Sequence, residues 1–126
     1  MLGKFGLAVA AVLVSAAPAM AAGMCGEAPI PPAAIDGGKA TEAQMKDAHD
    51  DVVNFIKASD DYQGCLFADL NKQKQDAAKA NPPKTLDPSV EQGVNAKVDA
   101  NQKMKEKVGA EFNAAVQAYK ATHPKG

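Results

Sequence analysis

The densest cluster of ligating side chains in the sequence is Asp47, His49, Asp50 and Asp51. Carboxylates with an imidazole can hold a divalent ion. On a helix, Asp47 and Asp51 share a face at i,i+4, whereas His49 falls about 200° from Asp47. Asp47, His49 and Asp51 are the candidate metal ligands, and the direction of His49 counts against them. The plainer expectation is that acids near a helix start favour its dipole. Met24, Met45, Met104, His49 and His123 carry donors that suit copper(I). A hairpin would leave Met104 far from the others, and methionines at helical spacing usually fill cores. No metal and no cofactor is expected.

Catalytic chemistry is poorly served. Neither His49 nor His123 has a Ser or Cys nucleophile near it in sequence pattern. There is no Gly-rich phosphate loop and no C-x-x-C-H haem attachment. Asp60 and Asp61 point in different directions around a helix and read as a solvated face. A non-enzymatic protein is expected.

The two cysteines, Cys25 and Cys65, carry more information. Lys4, the apolar run Phe5 to Val14, Pro18 and Ala19-Met20-Ala21 form the three parts of a secretory signal peptide, with cleavage after Ala21. Met24 fits poorly as the residue before a lipidated cysteine. An exported chain meets an oxidising compartment, periplasmic or extracellular, so Cys25 and Cys65 are expected to form a structural disulfide. A redox pair, separate thiols and an intermolecular bridge are the alternatives; the lack of C-x-x-C disfavours the first.

Charge excludes a class of partner. The chain has 14 Lys plus Arg, all of them Lys, and 15 acids. With no guanidinium fork and no basic excess, nucleic acid is not an expected partner. No second long apolar stretch follows the signal, so the mature chain is expected to lack an integral membrane segment.

These residues must be positioned by few elements. Residues 22–40 contain Pro29, Pro31 and Pro32 and predict an extended strap, with a turn at Asp36-Gly37-Gly38. Thr41 and Gln44 form a capping box. Apolar or small residues from Met45 to Ala77 then recur at helical spacing, predicting a helix over about 42–80. A rival break near Ser59-Asp60 would use Asp60 and Gln63 as a new cap. Residues 81–87 read as a loop. Asp87 caps a second helix, with Pro88 at its first position, running over 88–122 with a heptad-like seam through Val94, Val98, Asn101, Val108, Phe112 and Ala115.

The fold expected is all-α: a long antiparallel helical hairpin, about 42–80 and 88–121, with a Pro-rich N-terminal strap pinned by Cys25–Cys65. A turn centred near Lys84 would make facing residue numbers sum to about 168. That pairs Phe55 with Phe112, Leu70 with Val98 and Leu66 with Asn101, and sets His49 near Tyr119. Running back along the first helix, the strap would place Ile30 near Ile56 to Asp60 and Ile35 near His49, with Gly64 allowing close approach. Asn101 on an apolar seam either fixes register or lies hydrated at its edge.

Cys25, Pro29-Ile30-Pro31, Asp36-Gly37, Ala40-Thr41 with Met45, Val53 with Ile56, Tyr62, Cys65-Leu66, Glu111-Phe112-Asn113 and Tyr119-Lys120 resemble the pattern of a group of small exported helical bacterial proteins with one Cys pair. The resemblance implies architecture and compartment, and carries over no catalytic residue. Ala40-Thr41-Glu42-Ala43-Gln44 is also similar to the L-T-x-x-Q motif of envelope-stress chaperones, without its leading Leu. The function expected is a structural or protein-interaction role in the cell envelope, with a second copy or another envelope protein as partner. A chaperone-like or metal-binding helical protein is the alternative.

Overall fold

A computed structural model describes residues 24–125. The expected signal segment 1–21 lies outside the described residues. Two helices make up the architecture: α1, Glu42–Lys79, of 38 residues, and α2, Pro88–Thr122, of 35.

Local chemistry sets their ends. At α1, Thr41 Oγ1 accepts from the Gln44 N–H at 3.2 Å while the Thr41 N–H donates to Gln44 Oε1 at 2.9 Å, the reciprocal capping box. At α2, Asp87 Oδ1 accepts from the Ser89 N–H at 2.9 Å, and Pro88 fills a first-turn position that needs no donor. α1 runs unbroken through Ser59-Asp60, so the rival break is not made.

The helices pack antiparallel along a single seam. Phe55, Tyr62, Leu66 and Leu70 of α1 and Val108 and Ala115 of α2 are buried in it. Each large side chain removed from water contributes about 1.5–3 kcal/mol. Two polar residues, Ser59 and Asn101, are buried in the same seam at 0% and 4% exposure. Asn101 is therefore a seam residue and not a hydrated edge.

The register differs from expectation by about one helical turn. Gln63 meets Asn101, Asp60 meets Lys105 and Lys74 meets Glu91, so facing numbers total 164 or 165 in place of 168. Asn101 accordingly faces Ser59 and Gln63, not Leu66. The loop is the reason: the Lys84 N–H donates to the Ala77 carbonyl at 2.9 Å. Lys84 already lies back along α1, so the chain turns before it.

A disulfide joins Cys25 to Cys65, with Cα atoms 5.6 Å apart, and pins the strap to the flank of α1. The strap's other end docks on both helices. Ile35 packs on Ala40, Met45 and Ala115 beside Phe112. The Asp36 carbonyl accepts from the N–H groups of Lys39 and Ala40, and Asp36 Oδ1 accepts from Gly38 N–H at 3.0 Å, closing the turn. Buried Gly37 lies directly on the α2 backbone: a Cβ there would come within 1.8 Å of the Ala115 carbonyl oxygen.

Two details of the expected strap are therefore corrected. Ile30 is 90% exposed and does not dock on α1. A Cβ at Gly64 would meet open space, so the glycine that permits close approach is Gly37. Contact with Ala115 draws the strap over the seam onto α2, toward the open end of the hairpin.

Candidate interaction face

The structure separates the three candidate metal ligands. Asp47 and Asp51 line a cavity of about 510 Å³ between the strap and the helix pair. His49 lies on the opposite flank of the seam, its Nδ1 3.4 Å from Asp50 Oδ1 and its ring centroid 5.9 Å from that of Phe112. Among the described residues no group of three His, Cys, Asp or Glu side chains converges to hold a metal. Of the thioether and imidazole donors, Met45, His49 and His123 line one cleft. Met104 lies about 12 Å along α2 from Phe112 at the cleft's near end, and Met24 is exposed beside Cys25.

That cleft opens between the free ends of the helices, on the side away from the strap. It measures about 780 Å³. Met45, Phe112, Val116 and Tyr119 form its apolar floor, and all four belong to or pack on the Ala40–Ala115 cluster. His123 stacks on Tyr119 at 4.1 Å between ring centroids, with Nδ1 3.0 Å from the Tyr119 carbonyl, which holds the ring over the end of α2. The expected proximity of His49 and Tyr119 holds in that both line this cleft.

Charge on the rim is uneven. Glu42 is paired with Lys46 at 3.3 Å and Asp50 faces His49. Lys120 and Lys125 also border the cleft, and neither makes an ion pair among the described residues. The rim is thus locally cationic on a chain whose formal net charge is −1.

The cleft is the end of a longer uncovered face. On α1, His49, Val53, Ile56, Asp60, Gln63 and Phe67 follow one another at intervals of four and three, a heptad stripe beside the seam. On α2, Gln102, Lys105, Gly109, Phe112 and Val116 do the same. The stripes touch where Asp60 binds Lys105, Gln63 Nε2 donates to Gln102 Oε1 at 3.3 Å, and His49 meets Phe112. Val53 is 48% and Phe67 44% exposed on this face. The sequence signal for it was available: Val53 and Phe67 are two heptads apart, outside the stripe that forms the seam. Asp60 and Gln63 between them obscured it.

No family model, curated protein or solved structure matches the chain. Among the described residues no helix is long and apolar enough to cross a membrane.

Proposed function

We propose that this chain is a non-enzymatic protein-interaction or structural component of the bacterial cell envelope, working through the side of the hairpin that the strap leaves uncovered. The observation that carries the reading is the second heptad stripe. A two-helix hairpin needs one apolar stripe per helix; a helix that contacts two neighbours needs two. Val53, Ile56 and Phe67 of α1 and Phe112 and Val116 of α2 are the apolar members of a second set. The Cys25–Cys65 disulfide supports the export half of the reading, because such bonds persist in oxidising compartments.

Photo-crosslinking side chains placed at Val53 and Phe67 in the native envelope test it. Discrete adducts at these positions, absent from a strap-side position such as Ala58, support the reading. Equal labelling everywhere, or none anywhere, sinks it.

A second reading, holding of unfolded clients, draws on the open apolar floor of the cleft. It requires suppression of model-client aggregation by the purified protein at near-stoichiometric amounts.

A further inference from the structure

We infer that the open-end cleft receives a single amphipathic helix with acidic flanks, presented by a partner protein. The inference rests on the interaction reading above and names the partner's chemistry at one part of that face.

Shape argues first. From Phe112 to His123 the cleft follows α2 for eleven residues, about 17 Å at 1.5 Å per residue. That is the length of three turns of a partner helix, enough for anchors at i, i+3, i+4 and i+7. The cleft is a trough between two antiparallel helices, the groove into which a third helix packs at about 8–10 Å. A lone acyl chain in such a trough would leave its outer side wet, whereas a helix covers the floor and carries its own polar back. Met45 in the floor adapts to the anchors of the incoming helix.

Charge selects among helices. Glu42 is paired with Lys46 and Asp50 Oδ1 lies 3.4 Å from His49 Nδ1, which leaves the ammonium groups of Lys120 and Lys125 for a partner. Acidic residues flanking the apolar anchors complement them, steer association and reject basic helices. The same rim disfavours a second copy seated cleft to cleft. An isologous contact would set Lys120 and its neighbours against themselves.

The probe is a 14-residue acetylated and amidated peptide with Leu at heptad core positions and Glu on both flanks, and a twin with Lys in place of Glu. Fluorescence anisotropy with disulfide-intact protein purified from the exported fraction reads binding at low and moderate salt. The Glu peptide is expected to bind at least tenfold more tightly than its twin and to weaken with salt. Val116→Asp is expected to weaken it tenfold or more and Lys120→Glu several-fold, while Ala58→Asp, exposed on the strap side of α1, leaves it unchanged. Lys120 is exposed, so its variant keeps the test valid if Val116→Asp lowers the folded fraction.

Equal binding of the two peptides, or binding of neither, overturns the inference. So does tighter binding of oleate than of the Glu peptide, or a dimer in sedimentation equilibrium that Lys120→Glu strengthens. A failed peptide alongside intact crosslinks at Phe67 removes the cleft assignment alone. Loss of crosslinks along the whole face removes the interaction reading itself.

Discussion

Asn101 of α2 donates from Nδ2 to Ser59 Oγ of α1 at 3.2 Å while its Oδ1 accepts from Gln63 Nε2 at 2.8 Å. This is the polar joint of an otherwise apolar seam, and no buried side-chain polar atom among the described residues lacks a partner. A slip of one turn in either direction would set Asn101 against apolar neighbours and leave Ser59 unpaired. Asn101→Ala strands both partners and should cost about 1–3 kcal/mol. The combined Ser59→Ala and Asn101→Leu replacement removes the demand and should restore most of that loss, while widening the range of registers the helices sample. Urea unfolding of the two variants and the parent chain measures the first two effects. Disulfide trapping between engineered cysteines one turn apart across the seam measures the third.

Gly37 and Gly64 should respond in opposite ways to the same substitution. Gly37→Ala drives a methyl group into the Ala115 carbonyl, where backbone must move, and should destabilise by about 1–3 kcal/mol or undock the strap's turn. Gly64→Ala points into open space inside a helix and should stabilise by up to about 1 kcal/mol. Thermal melts of the two variants decide. A destabilised Gly64→Ala would mean that the strap crosses α1 closer to Cys65 than described.

The disulfide closes a loop with a sequence separation of 40. In the chain-entropy model this contributes about 4 kcal/mol. The paired Cys25→Ser and Cys65→Ser variant should lose most of it in guanidinium titration. It should keep the Ile35–Gly37 dock, because that end of the strap has its own contacts. Limited proteolysis would then cut between residues 25 and 34 and spare the turn at 36–40.

Asp87 gives a pH signature. The Ser89 backbone N–H, followed by the Ser89 side chain, holds its carboxyl below the usual carboxylate range. A carboxyl lowered in the folded state stabilises above its unfolded pKa, about 3.9, and that stabilisation is lost as pH falls through the folded value. Asp87→Ala should therefore melt at a lower temperature than the parent chain at neutral pH. The gap should narrow steadily below about pH 4. A gap independent of pH would assign the effect to lost hydrogen bonding by the neutral acid or to helix propensity.

The parts of the fold that were readable in the sequence are those written in short-range chemistry. Thr41 with Gln44, and Asp87 before Pro88, specify helix starts within four residues. The seam declares itself by repetition from Met45 to Leu70, strongly enough to override the break suggested at Ser59-Asp60. The register was missed because it depends on how Lys84 returns to Ala77, a loop contact with no periodic signal. The strap's course was missed because the glycine that decides it, Gly37, acts on Ala115, far away in sequence. Of the candidate residues, Asp47 and Asp51 line one cavity and His49 another. The cleft went unseen because it joins the start of α1 to the last turn of α2, and its cationic character emerges only after Glu42 and Asp50 find their local partners.

The covalent link to Cys65 falls just past the middle of α1, and the strap covers only the stretch from there to the free ends. The remaining length of the hairpin, beyond Cys65 on α1 and before Asn101 on α2, has no strap over it and is held by the packing of the two helices, the Lys74–Glu91 ion pair and the Lys84–Ala77 backbone hydrogen bond. Amide protons there should exchange by local opening at lower free energy than those around Phe55 and Val108. Mechanically the molecule is a rod with one stiff end, at which it presents its cleft, and one compliant end at the Pro-rich turn. A load entering at the cleft would meet the braced half of the rod first, and the unbraced tip would deform more for the same force.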